Sequence, residues 1–189
     1  MGYTFNPFTG TLDNTGTASG GGTSAQTMYI SAAAMLPQPT LGCAPLATVE
    51  VSSSVPYVQS LDFDGAAVEY AIFEAALPST WDLGTITFSA YWTSTATDTD
   101  GVAWGLQAVC LGDNVAIGTA YGTGVLVTDN AQSTANNLYV SGESAEITVG
   151  GTPADNKMTY FRVYRAVADA ADTMTEDAKI IGIRITLRA

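Results

Sequence analysis

Two short acidic stretches, Asp62-Phe63-Asp64-Gly65 and Asp98-Thr99-Asp100-Gly101, hold the residue types from which a calcium loop is built. Calcium takes roughly six to eight oxygen ligands, and an EF-hand loop adds a third acid and a distal bidentate Glu. Neither stretch continues that way. Asp-Gly between two alternating segments is also a hairpin-turn signal, and that is the reading adopted here. Catalytic groups are sparse. The chain has no His, so the commonest general base is missing. No Gly-x-Ser-x-Gly elbow occurs. Glu69 and Glu74 stand an odd number of residues apart in one strand-like segment, which points them to opposite faces rather than across a cleft. Cys43 and Cys110 belong to no Cys-x-x-Cys motif, and no His could complete a zinc site. Cys110 lies in an apolar run and reads as a small buried hydrophobe. A disulfide between the two stays open. The expectation is a protein without catalytic residues, cofactor or metal.

The positive charges are distributed unevenly. All six Lys and Arg lie from Lys157 onward, where four acids accompany them, whereas residues 1–156 hold 14 acids and no base. In YFRVYRAV, alternation places Phe161, Val163 and Arg165 on one face and Tyr160, Arg162 and Tyr164 on the other. Arg165 therefore continues an apolar face, and a buried guanidinium needs carboxylate or carbonyl partners. Asp172 follows within a turn, so an Arg165–Asp172 pair is expected to pin the crossover to the last strand; a solvated Arg165 is the alternative. Arg162, Arg184 and Arg188 face outward and read as an interface toward acidic surface, on this chain or on a neighbouring copy.

Exposed aromatics can stack on sugar rings. Trp81, in the loop LPSTWDLGT, is the foremost candidate for such a contact, with Tyr91 and Tyr121 behind it. Trp92 and Trp104 fall on inward faces and are expected in the core.

These side chains are positioned by strands. LATVEVSS, YVQSLDFD and AVEYAIFEAAL are strand-like. GTITFSAYWTS puts Ile86, Phe88, Ala90 and Trp92 on one face, and GVAWGLQAVCL puts Val102, Trp104, Leu106, Ala108 and Cys110 on one face. Weaker strands follow at TGVLVT, NLYVS and AEITVG. YFRVYRAV and IIGIRITLR close the chain, with Ile181, Ile183, Ile185 and Leu187 expected inward. Only ADAADTMTEDA, residues 168–178, looks helical. The predicted fold is all-β: an antiparallel β-sandwich, best matched by a jelly roll, with an extended N-terminal arm. Residues 1–47 are set apart as that arm and a linker, and residues 48–189 form the sandwich domain. Within the arm, the Gly-rich NTGTASGGGTS reads as a hinge. The aromatic start, with Tyr3, Phe5, Pro7 and Phe8, reads either as an anchor for another protein or as a patch on its own domain.

Composition narrows the partners. Charged residues make up only 13% of the chain and the net charge is −12. So acidic a surface repels phosphate backbones and anionic lipid, which argues against nucleic-acid and membrane binding. No apolar run reaches the roughly 18 residues of a spanning helix, and the start MGYTFNPFTG lacks the charged and apolar regions of a signal peptide. Neutral Thr, Ser and Ala surface with little Lys points to burial in an assembly.

FNPFTGTLD resembles the N-terminal segment of many tailed-bacteriophage virion proteins. The run VQSLDFDGAAVEYAIFEAALPSTWDLGTITFSAYWTS, then GVAWGLQAV, then FRVYRAVADAADTMTEDAKIIGIRI, resembles a family of phage structural jelly-roll domains. The resemblance covers about three quarters of the chain, through motifs that are structural rather than chemical. It implies a non-enzymatic virion protein, made in the host cytoplasm, often a homotrimer, held to the particle by its N-terminal arm. A capsid-decorating or head-fibre role, with the major capsid protein as partner, is placed ahead of a tail fibre held by a tail protein. Recognition of a host-surface glycan, as a receptor-binding or carbohydrate-binding module, is the other reading.

Overall fold

The computed structural model describes residues 3–6, 11–14, 25–154 and 157–188. The strands are β1 (Tyr3–Asn6), β2 (Thr11–Asn14), β3 (Gln26–Ser31), β4 (Leu36–Pro37), β5 (Ala47–Val49), β6 (Val58–Phe63) and β7 (Tyr70–Ala76). They continue with β8 (Ile86–Ser94), β9 (Gly101–Leu111), β10 (Val125–Asn130), β11 (Tyr139–Val140), β12 (Gly150–Gly151), β13 (Met158–Arg165) and β14 (Ala178–Leu187). Among the described residues the only helical turn is a 3-10 turn at Ala32–Ala34, capped by the Ser31 hydroxyl, and no α-helix forms.

Two antiparallel sheets carry the domain. The front sheet runs β10-β9-β13-β7-β4, with β12 added beside β9; the back sheet runs β11-β8-β14-β6-β5, with β3 added beside β14. From β6 to β9 the chain crosses between sheets at every step, and it does so again from β13 to β14. This is the jelly-roll interleaving of two four-stranded sheets, β7-β13-β9-β10 and β6-β14-β8-β11. The two Asp-Gly turns therefore lie in inter-sheet connections, β6 to β7 and β8 to β9, and close no hairpin. Asp64 Oδ1 accepts from Ala66 N and Asp98 Oδ1 from Asp100 N, so each acid folds its own turn.

The core sits between the sheets. Phe73 and Phe161, register partners on β7 and β13, stack at 4.7 Å. Trp104 meets Phe63 edge-on at 5.3 Å and Trp92 at 6.5 Å, which brings strands of opposite sheets together. Trp92 and Trp104 are wholly buried. Trp92 donates its indole N–H to Asp129 at 2.8 Å, the polar partner a buried indole requires.

The course of the chain departs from the sequence reading in further places. Residues 25–47 do not stand off as an arm: β3 pairs with β14 from Ser31↔Gly182 to Gln26↔Leu187, and β4 pairs with β7. Thus the Pro-rich segment is part of the sandwich. Residues 168–178 form no helix: turns run only as far as Ala171, where Asp169 N donates to the Ala166 carbonyl and Asp172 N to the Asp169 carbonyl, and Ala178 already opens β14. A bulge lies between Ile180 and Gly182 in the pairing of β14 with β8. It turns Ile181 outward, so the inward set is Ala178, Ile180, Ile183, Ile185 and Leu187. Finally, β13 and β14 belong to opposite sheets, so Arg162 is separated from Arg184 and Arg188 by the thickness of the domain.

Candidate functional site

The outward face of the front sheet carries an unusual set of side chains. Register places Tyr160 beside Glu74, Arg162 between Ile72 and Gln107, and Tyr164 between Tyr70 and Gly105. Alternation along β13 presents Tyr160, Arg162 and Tyr164 outward while Phe161, Val163 and Arg165 turn into the core. The Arg162 guanidinium carbon lies 4.3 Å from the Tyr70 ring centroid and 4.9 Å from that of Tyr121. Both contacts set the cation against an electron-rich ring face. Arg162 Nε and Nη2 both donate to Gln107 Oε1, at 3.0 and 2.6 Å, and Nη1 approaches Gln38 Oε1 at 3.5 Å.

Tyr121 comes from the long connection between β9 and β10, which is tied down where Gly122 N donates to the Ala108 carbonyl and Gln107 Nε2 to the Gly122 carbonyl. Its ring bridges Arg162 and a cleft of about 280 Å³ lined by Ala34, Leu36, Ile72, Phe73, Glu74, Tyr121 and Tyr160. Burial pushes the Tyr121 hydroxyl pKa up, against the pull of Arg162. It pushes Tyr164 up too, with Tyr70 adding to the rise. Both phenols are therefore neutral and able to donate a hydrogen bond at physiological pH.

Tyr164 is held by absence of side chain around it. A Cβ on Gly105 would lie 2.2 Å from the Tyr164 ring, and one on Gly124 2.5 Å from its hydroxyl. The mid-strand glycine of β9 is thus the floor on which Tyr164 lies.

The other residues singled out from sequence lie elsewhere. Arg165 is fully buried and pairs with Asp172 at 2.8 Å. Its Nη1 donates to the carbonyls of Phe63 and Glu176, and its Nη2 to that of Met174. Asp172 Oδ2 in turn accepts from Ala103 N. Trp81 is not an exposed platform: it is only 6% exposed and packs in the core, because the loop folds back with Trp81 N donating to the Pro78 carbonyl. Arg188 pairs with Glu143. Arg184 donates to Ser89 Oγ at 3.2 Å on the back sheet. Tyr91 meets Tyr29 edge-on at 5.3 Å, also on the back sheet. Only the backbone of Tyr3 and Phe5 is described, in β1; Pro7 and Phe8 lie outside the described residues. Cys43 and Cys110 are both buried free thiols, and no disulfide joins them. Among the described residues no group of three His, Cys, Asp or Glu is placed to hold a metal ion.

Sequence reasoning missed Tyr70 and the cleft. Tyr160, Arg162 and Tyr164 were legible as an outward row, but Tyr70 and Tyr121 reach that row from far along the chain. The available signal was the excess of Tyr over Phe, nine against six, since Tyr marks aromatic surface that stays partly wet.

No protein-family model matches the sequence, and no curated protein matches it. Solved structures with a similar strand arrangement include the CBM36-1 domain of a multidomain xylanase from the hindgut metagenome of Trinervitermes trinervoides. It is 10% identical, with 85% of this chain and 96% of that chain covered at a TM-score of 0.45. The CBM35 from Cellvibrio japonicus Abf62 is 8% identical, covering 87% and 95% at 0.44. A carbohydrate-binding module CBM36 in complex with calcium and xylotriose is 14% identical, covering 84% and 98% at 0.40. Values this low carry no functional step.

Proposed function

We propose that the sandwich is a non-catalytic carbohydrate-binding domain that takes a saccharide across the outward face of β7, β13 and β9. The observation that carries this reading is the Tyr121 ring, shared between the Arg162 stack and the cleft beside Tyr160 and Glu74. A sugar ring offers an apolar C–H face and a rim of hydroxyls. The face suits an aromatic ring, whose π cloud is electron-rich. The rim needs donors and acceptors held in place, which the Tyr hydroxyls, the Glu74 carboxylate and the Gln38 and Gln107 amides supply. Glu74 is the one carboxylate lining the cleft, whereas the usual glycosidase route needs a pair across the bond. Binding without cleavage is the function that fits.

The test is a titration of the full chain with a panel of soluble oligosaccharides, repeated with Tyr121→Ala and Tyr160→Ala. Binding weakened at least tenfold in both variants, with unchanged thermal unfolding, supports the reading. Binding unaffected by both variants, or hydrolysis of the bound saccharide, overturns it.

A second reading concerns attachment. β1 and β2 form a two-stranded sheet of their own, outside both sandwich sheets, from Tyr3↔Asn14 to Asn6↔Thr11. This favours an N-terminal module that attaches the binding domain to a larger body, and a phage particle is the body the sequence resemblance suggests. Removing residues 1–24 should leave saccharide binding intact and abolish co-sedimentation with particles. Retained co-sedimentation would contradict it.

A further inference from the structure

Arg162 is one of three basic side chains without a carboxylate partner among the described residues. Arg165, Lys179 and Arg188 each pair with a carboxylate: Asp172, Asp62 and Glu143. Lys157 Nζ donates to the Thr152 carbonyl. Arg184 stays on the back sheet with Ser89. Arg162, in a chain of net charge −12, has no carboxylate partner among the described residues. It is nonetheless held by two hydrogen bonds to Gln107 and by contacts with two aromatic rings.

That orientation leaves one edge of the fork available. A guanidinium has five N–H donors in one plane. Nε and Nη2 are directed to one neutral acceptor, Gln107 Oε1. Its Cζ lies over the Tyr70 and Tyr121 rings, at 4.3 and 4.9 Å from their centroids. Among the described residues, the remaining edge, between Nη1 and Nη2, meets only Gln38 Oε1 at 3.5 Å, a weak contact. Two parallel N–H groups at that edge match the two oxygens of a carboxylate. Diagonally across to β7, about 7–8 Å away, Glu74 supplies an acceptor beside Tyr160. The face is therefore polarised: a donor edge at Arg162, beyond Tyr121 from the cleft, and an acceptor at Glu74 within it. A ligand matching it carries its carboxylate at one end and its hydroxyls at the other.

We propose that the site selects carboxylated saccharides, with Arg162 as the specificity-determining residue; this rests on the saccharide-binding reading above. Hexuronates and nonulosonates present the same carboxylate, so both belong in the test. The full chain is titrated with oligogalacturonate and with oligosialic acid, each against its own carboxyl-reduced neutral form. The expected result is at least one acid binding about tenfold or more tighter than its reduced form, as a charged hydrogen-bonded contact implies. Arg162→Gln should erase that ratio, so that the acid and its reduced form bind alike. Arg162→Lys, which keeps the charge and loses the fork, should lower the ratio in a chain that unfolds at the same temperature. Neutral and acidic forms binding equally would overturn the selectivity and leave saccharide binding standing. A ratio unchanged in Arg162→Gln would move the selectivity elsewhere and overturn the role of Arg162. No binding by either form would overturn both.

Discussion

Arg165 and Asp172 meet at 2.8 Å with side chains 0% and 1% exposed, between the last strand of the front sheet and the crossover to the back sheet. The guanidinium also takes the carbonyls of Phe63, Met174 and Glu176. One side chain thus ties β13, the crossover and the end of β6 together. Breaking one side of a buried pair costs about 3–5 kcal/mol. At about 2–4 °C per kcal/mol for a domain this size, Arg165→Ala should lower the melting temperature by roughly 6–20 °C. A shift under about a degree by circular dichroism would contradict this.

Glu143 should make stability depend on pH. The Thr87 hydroxyl, chiefly, holds its carboxyl below the ordinary glutamate value, helped by Thr186, Arg188 and Arg184 and opposed by partial burial. A lowered folded pKa stabilises the native state above the unfolded value, near 4.3. That stability is lost as pH falls through the folded value. The gap in melting temperature between the parent and Glu143→Gln should be steady above about pH 5.5 and close on acidification toward pH 3. A gap that stays constant over that range would show that the carboxylate is not the source.

Gly105→Ala should disturb the binding face directly. The new methyl would sit 2.2 Å from the Tyr164 ring, which would have to lift away from the sheet. Overpacking of this kind costs about 1–3 kcal/mol. Tyr164 packs at 5.6 Å on Tyr70, which in turn holds Arg162, so saccharide affinity should fall together with stability. Unchanged affinity in a folded Gly105→Ala chain would separate Tyr164 from the site.

The thiols should be inert in the native protein. Burial pushes Cys43 up to about 12, with Glu69 adding to the rise, and Cys110 is buried in β9. A thiol reagent should therefore label neither until the chain is unfolded, and then both. Rapid labelling under native conditions would count against the burial described here.

Much of this was readable from residue order. Alternation in β13 separated Arg165 from Arg162, and the acid that follows within a turn named the partner of Arg165. Alternation in β8 and β9 also put Trp92 and Trp104 in the core. What escaped depended on tertiary closure. Ile181 continues an unbroken apolar alternation, and only the bulge against β8 turns it outward, toward Val49, Val58 and Leu138. Trp81 sits in a polar loop whose sequence looks exposed, yet the loop folds its indole into the core. Gln26–Ser31 is a strand because β14 offers it an edge, and a Pro-rich, Ala-rich neighbourhood hides that edge from local reading. The Tyr70–Arg162–Tyr121 stack joins residues from β7, β13 and a loop, so no local pattern contains it.

The central claim is that the outward face of the front sheet is the binding face. Chemical-shift mapping of the isotopically labelled chain with a bound oligosaccharide tests it most directly. The account predicts the largest shifts at Ile72, Glu74, Gln107, Tyr121 and Tyr160 and at the Arg162 Nε–H. Shifts confined to the back sheet around Tyr29 and Tyr91, or to the loops at residues 50–57, would contradict it.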